Sequence, residues 1–121
     1  MWKDSKDVII IPNSFTVAGS TYNVNIVENS EKDLGGALGD FTNLFHEIRI
    51  AKTCRLEEDI IDIPEDELIK TYLHELGHCF GYYYKGDNSE EFANAFANFF
   101  YEYLITKEWF ILLYLKMNVD I

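Results

Sequence analysis

The sequence predicts an α+β fold, an N-terminal antiparallel sheet covered by helices from the C-terminal half. Three observations carry this. Segments up to Ala51 alternate apolar and polar residues with the period of half-buried strands. Segments after Pro64 repeat apolar residues at the three- and four-residue intervals of helices. The 121 residues are 48% hydrophobic with only two prolines, enough for one modest core, so a single domain over residues 1–121 is expected.

Taken in order, Val8-Ile9-Ile10-Ile11 reads as a short buried strand stopped by Pro12-Asn13. Phe15-Thr16-Val17 and Tyr22 to Val27 alternate around the turn signal Ala18-Gly19-Ser20, which predicts a β-hairpin. Asn29 to Gly39 is polar with three glycines and reads as a loop; Gly39-Asp40-Phe41-Thr42 reads as a short strand. His46 to Ala51 alternates again and predicts a half-exposed edge strand with Ile48 and Ile50 on one face. The acidic stretch Cys54 to Ile63 connects it to the main helix.

Pro64 suits the first position of that helix, and Glu65, Asp66 and Glu67 suit the positive end of its dipole. The helix is predicted over about 64–80, with Gly81 as its stop. Leu68, Ile69, Tyr72, Leu73, Leu76, Cys79 and Phe80 share an apolar arc; His74 and His78 fall opposite, with Glu75 at the border. A second helix is predicted over about 89–105, capped by Asn88 or Ser89, with Asn88 and Glu91 fitting a capping box. Its stripe of Phe92, Phe96, Phe99, Phe100, Tyr103 and Leu104, flanked by Ala93 and Ala97, predicts core packing against the first helix. Thr106 to Met117 predicts a C-terminal helical segment, also packed in the core.

A net charge of −11 argues against nucleic acid or an anionic membrane as partner, since both repel it. Cys54 and Cys79 lack C-x-x-C spacing and are too few for a disulfide framework. Only four apolar residues stand between Asp7 and Pro12, which is no signal-peptide core, and the longest apolar run, Trp109 to Leu115, is seven residues. The expected location is the cytoplasm.

His74-Glu75-Leu76-Gly77-His78 fits H-E-x-x-H. Positions i and i+4 share a helix face, so two imidazoles there can grip one ion, and the Glu between them can act on an activated water. The plain alternative is a solvated helix face carrying two histidines and a glutamate. A catalytic zinc takes a third protein ligand, for which Asp87, Glu90, Glu91 and His46 are the candidates. A helix packed through its Phe stripe turns Glu90, rather than Glu91, towards the first helix, and Asn94 one turn on is placed to hold a ligand by hydrogen bond. Glu91 reads better as a capping residue, and His46 as a partly exposed strand histidine.

His74-Glu75-Leu76-Gly77-His78 followed by Glu90-Glu91-Phe92-Ala93-Asn94-Ala95-Phe96-Ala97 resembles H-E-L-G-H … E-x-x-A-N-x-F-A. That is the pattern of the ImmA/IrrE-like metallopeptidases of the gluzincin group and their small relatives, often encoded by phages and mobile elements. The resemblance covers roughly residues 64–105. It implies a small zincin-like (minigluzincin) domain, Zn²⁺ held by His74, His78 and Glu90, Glu75 as catalytic base, and a protein or peptide substrate. No helix-turn-helix segment, as carried by longer members, is recognisable.

The expected activity is therefore zinc-dependent peptide hydrolysis, with Glu75 as general base. Strand 46–51 is expected to bind an extended peptide along its free edge. Tyr82, Tyr83, Tyr84 and Tyr101 are candidates for oxyanion stabilisation, with none singled out. The competing reading is a catalytically silent, zinc-stabilised inhibitor or adaptor of a mobile element, favoured by small size, charge and an aromatic C-terminus.

Overall fold

The computed structural model describes residues 11–106. The strand expected at Val8 to Ile11 falls mostly outside these residues, and the helical segment expected from Thr106 to Met117 almost wholly so.

β1 (Ser14–Val17) and β2 (Ser20–Asn29) form the predicted antiparallel hairpin. Ala18 and Gly19, both at positive φ (49° and 82°), make the two-residue turn whose twist matches the strands. Directly opposed, Phe15 and Tyr22 stack with centroids 5.6 Å apart. The polar stretch after β2 is not all loop. Asn29 accepts from Lys32 N–H and caps a short helix, α1 (Ser30–Leu34), which ends on Gly35 at φ 64°.

β3 (Gly39–Thr42) and β4 (Glu47–Leu56) pair antiparallel, as do β4 and β5 (Asp59–Asp62), but β2 and β4 are parallel. The sheet is therefore mixed, not antiparallel, with β1-β2-β4-β3 in order and β5 pairing β4. Thr53 pairs with Asn29 of β2 and with Asp62 of β5, so β3 and β5 lie along the same side of β4. This corrects the expected edge strand at 46–51: that segment opens the central strand β4, and among the described residues β3 is the edge. Ile48, Ile50 and Ala51 of β4 are fully buried, which a half-exposed edge strand does not achieve.

α2 (Glu65–Phe80) lies on the sheet. Val24, Ile48 and Ile50 pack there with Phe41, Leu68, Tyr72 and Leu76. Its other side meets α3 (Glu90–Thr106) through Ile69, Leu73 and Ala97. Gly81 does not stop α2. It keeps right-handed helical geometry, the chain continues through a π-helical turn (Gly81–Lys85), and the stop comes at Gly86 with φ 64°.

The Phe stripe makes only part of the helix seam: Phe92 and Phe96 are half-buried against Phe80 of α2. Ala93 and Ala97 are buried, while Phe99 is 62% exposed. A Cβ on Gly77 would stand 3.1 Å from Ala93 Cα, so a glycine facing an alanine lets the two backbones approach. Phe96 Cβ stands equally near, while the far end of the stripe, Phe99 and Tyr103, is left facing outward. Both cysteines are free thiols. No described helix is long and apolar enough to cross a membrane.

Candidate metal centre

One turn of α2 brings His74 and His78 together, with ring centroids 4.8 Å apart and planes at 81°. Their face is not the solvated one that the helical wheel suggested. His78 is 8% exposed and Glu75 6%, covered by β3 and by the start of α3.

The connection after α2 delivers the third group. Gly81 has no Cβ to collide with the carbonyl oxygen of Asp87, so the chain folds back onto α2 one turn past His78. Asp87 accepts a 3.0 Å hydrogen bond from Ser89 N–H, and its bonds from Ser89 hold the carboxyl below the usual range. Ser89 then caps α3, its hydroxyl accepting from Phe92 N–H at 3.1 Å. Glu90 opens the helix. Its Oε1 lies 3.0 Å from His74 Nε2 and its Oε2 lies 2.7 Å from His78 Nε2. Among the described residues, His74, His78 and Glu90 are the one group of three or more His, Cys, Asp or Glu side chains whose ligand atoms gather within 4.8 Å.

The donor set fits a cation. Asn88 Oδ1 stands 2.8 Å from His78 Nδ1. A carboxamide oxygen accepts, which suits a hydrogen on Nδ1 and, with an ion in the site, an Nε2 lone pair turned towards it. A lone pair and a carboxylate that close need a proton or a metal ion between them. Zinc ligands bonded at about 2.0–2.1 Å in a tetrahedron stand about 3.3 Å apart, close to the separations of the Glu90 oxygens from the two Nε2 atoms.

Glu75 projects beside this group into the same cavity of about 640 Å³. Burial pushes its carboxyl up to about 7; His78 draws it down, and Asp40 and Glu90 push it up. A base in that range can take and return a proton near neutral pH. β3 walls the cavity on one side through Gly39, Asp40 and Phe41. Arg49 of β4 holds Asp40 through two hydrogen bonds, from Nε and Nη2. Asn94 and Asn98 of α3 line it too, as does Lys70 of α2, the cavity's one lysine or arginine.

The remaining candidates lie elsewhere. Glu91 is exposed and outside the group. His46, at φ 51°, stacks on Tyr22 with centroids 4.9 Å apart. None of the four tyrosines lines the cavity. Tyr82 takes a hydrogen bond from Asn43, Tyr83 shares one with Tyr22, Tyr84 packs on Phe80, and Tyr101 lies beneath the Lys70 ammonium. Asn94 lines the cavity, but the side chain bonded to His78 is Asn88, which the sequence suggested only as a cap. Its signal was its place: two residues before Glu90, just after a turn that reverses the chain onto the histidine helix. Gly39 was the other omission, because close approach of a strand to Glu75 leaves no local pattern. No protein-family model, no curated protein and no solved structure matches the chain.

Proposed function

We propose that the protein is a zinc-dependent peptidase with a zincin-like site. The observation that carries this reading is the convergence of His74, His78 and Glu90 beside the buried Glu75, in an open cavity bordered by the edge strand β3. The resemblance to the ImmA/IrrE-like metallopeptidases supports the same assignment. His74, His78 and Glu90 hold the ion. Zinc there supplies a Lewis acid for the scissile carbonyl and acidifies water. Glu75 takes the proton of the attacking water and passes it to the leaving amine. β3, rather than the segment at 46–51, offers the main-chain edge along which an extended protein or peptide substrate pairs. The activity belongs in the cytoplasm, where free thiols stay reduced.

One observation favours a second reading. Phe99 and Tyr103 are 62% and 45% exposed, and an aromatic face of that kind suits a zinc-stabilised adaptor or inhibitor. Metal analysis and Glu75→Gln separate the cases. The proposal expects stoichiometric zinc, lost affinity in His74→Ala, His78→Ala and Glu90→Ala, and unchanged affinity in Glu91→Ala. Glu75→Gln is expected to keep zinc and abolish peptide hydrolysis. Absence of stoichiometric zinc from protein purified without chelator refutes both readings. A Glu75→Gln variant that keeps full biological activity refutes the peptidase.

A further inference from the structure

We propose that the cavity ends in a carboxylate subsite, where Lys70, Asn94 and Asn98 receive either the free C-terminus of a peptide or an Asp or Glu side chain, on the C-terminal side of the bond that is cut. The assignment rests on the peptidase reading and names the substrate chemistry of that same cavity.

Two helix ladders lead from the His74, His78 and Glu90 group to this end. His78, His74 and Lys70 stand one turn apart on α2, and Glu90, Asn94 and Asn98 one turn apart on α3. The helices run in opposite senses, with Glu90 beside His78 and Tyr101 beneath Lys70, so the two ladders descend side by side along one cavity. The chemistry changes along the way. Two imidazoles and a carboxylate suit a cation; an ammonium with three N–H donors and two carboxamides with two each suit an anion. Lys70 has donors to spare. Its contact with Glu67 Oε2 is 3.5 Å between side chains nearly half exposed, a solvated pair of little strength. Tyr101 offers a ring face 4.9 Å from the ammonium, which steadies it without accepting its N–H groups. Neither Asn94 nor Asn98 has a side-chain hydrogen bond among the described residues. The net charge of −11 is screened beyond about 8 Å at physiological salt, so the local ammonium governs a carboxylate seated here.

The edge of β3 sets which side of the cut bond this is. The Leu38 carbonyl accepts from Ala51 N–H at 2.9 Å, and antiparallel ladders alternate, so Asp40 and Thr42 also face β4. Gly39 and Phe41 turn their N–H and C=O groups to the edge that is free among the described residues. Gly39 lies over Thr71 and Glu75, and the Phe41 ring is 6.2 Å from that of Tyr82, beyond the end of α2. β3 therefore runs in the same sense as α2, and a peptide pairing antiparallel to it heads C-terminally towards Lys70. Lys70 lies about 9 Å along the helix from the level midway between the histidines, roughly three residues of extended peptide.

The test uses the full chain with zinc and a library of synthetic octapeptides, randomised at every position and made both as C-terminal acids and as C-terminal amides. Mass spectrometry identifies the cut sites. If side chains fill the subsite, Asp and Glu are enriched about five- to tenfold within three residues after the cut. If the terminus fills it, cuts cluster within three residues of a free C-terminus and vanish in the amides. In Lys70→Met, which keeps an apolar stem and removes the charge, either preference collapses to less than about twofold. The Asn94→Ala/Asn98→Ala double variant weakens it. A wild-type profile without carboxylate preference, a preference on the N-terminal side of the cut, or one unchanged in Lys70→Met overturns the proposal. A wild-type protein that takes up zinc and cuts no peptide overturns the peptidase reading instead. Retention of the same library on immobilised wild type and Lys70→Met then decides the subsite: carboxylate-bearing peptides held by the first alone support it, and equal retention overturns it.

Discussion

Gly39 sets how closely the edge strand approaches Glu75. A Cβ at this position would come within 2.7 Å of Thr71 Cγ2, 3.0 Å of the Arg49 carbonyl oxygen and 3.3 Å of Glu75 Cγ. The threonine methyl can rotate away; a backbone oxygen inside the sheet cannot. Gly39→Ala should therefore lift β3 and cost about 1–3 kcal/mol by overpacking. It should also lower kcat/KM while leaving zinc affinity intact, because the ligands come from other elements. Urea unfolding with chelator competition checks this, and an Ala variant as stable and active as wild type would remove β3 from the account. Tyr22 makes a different test. It is fully buried with its hydroxyl 2.7 Å from Tyr83 Oη, and burial followed by that bond raises its phenol well above the ordinary value of 10.0. A group whose folded-state pKa is raised stabilises fully below its unfolded pKa, and that stability drains as pH climbs towards the folded value. Unfolding free energy should thus fall above about pH 10, and Tyr22→Phe should flatten the fall. An unchanged alkaline slope in Tyr22→Phe would show that other groups set it.

Between α2 and α3 the decisive contact is small against small. Gly77 lies under Ala93, whereas the aromatic residues that look like a core stripe point outward at Phe99 and Tyr103. Ala93→Leu should therefore force the helices apart, costing about 1–3 kcal/mol and weakening zinc binding by drawing Glu90 off the histidines. Phe99→Ser should change stability by no more than about 0.5 kcal/mol. Thermal melts decide, and the reverse ranking would restore the Phe stripe as the seam. The same interface shows which features were legible in the sequence. Periodicity marks strands and helices because it is local, so the β1–β2 hairpin, β3 and both long helices could be read. The parallel pairing of β2 with β4 could not, because α1 and β3 intervene and nothing local records a long-range partner. Gly81 reads as a helix stop because glycine often is one, yet here it serves close approach to Asp87 and the stop falls five residues on, at Gly86. Glu90 was selected on the premise of packing through phenylalanine. The structure brings it to the histidines by a seam of Gly77 and Ala93 beside Phe92 and Phe96, so only the first part of the stripe does what the premise required.

The layers of the molecule give a bound ion a mechanical role beyond chemistry. α2 sits between the sheet and α3, and α3 packs on α2 through Ile69, Leu73 and Ala97. His74 and His78 belong to α2 and Glu90 to the first turn of α3, so an ion held by all three ties α3 to α2. Binding that favours the folded state stabilises it by mass action, about 2.7 kcal/mol at free zinc a hundred times the Kd. For a domain of this size each kcal/mol shifts Tm by roughly 3–5 °C. Chelation should accordingly lower Tm by roughly 8–13 °C, with the size of the shift set by free zinc. His78→Ala should melt at one temperature whether or not zinc is present. Amide exchange should locate the effect: on chelation, protection should fall in the Gly81–Lys85 turn and the first turn of α3, while the β2–β4 pairing holds. Equal melting with and without zinc, in protein shown to bind it, would mean that the α2–α3 seam alone fixes Glu90. The site would then be formed in advance by Gly77 and Ala93, and the ion would take up a geometry it does nothing to create.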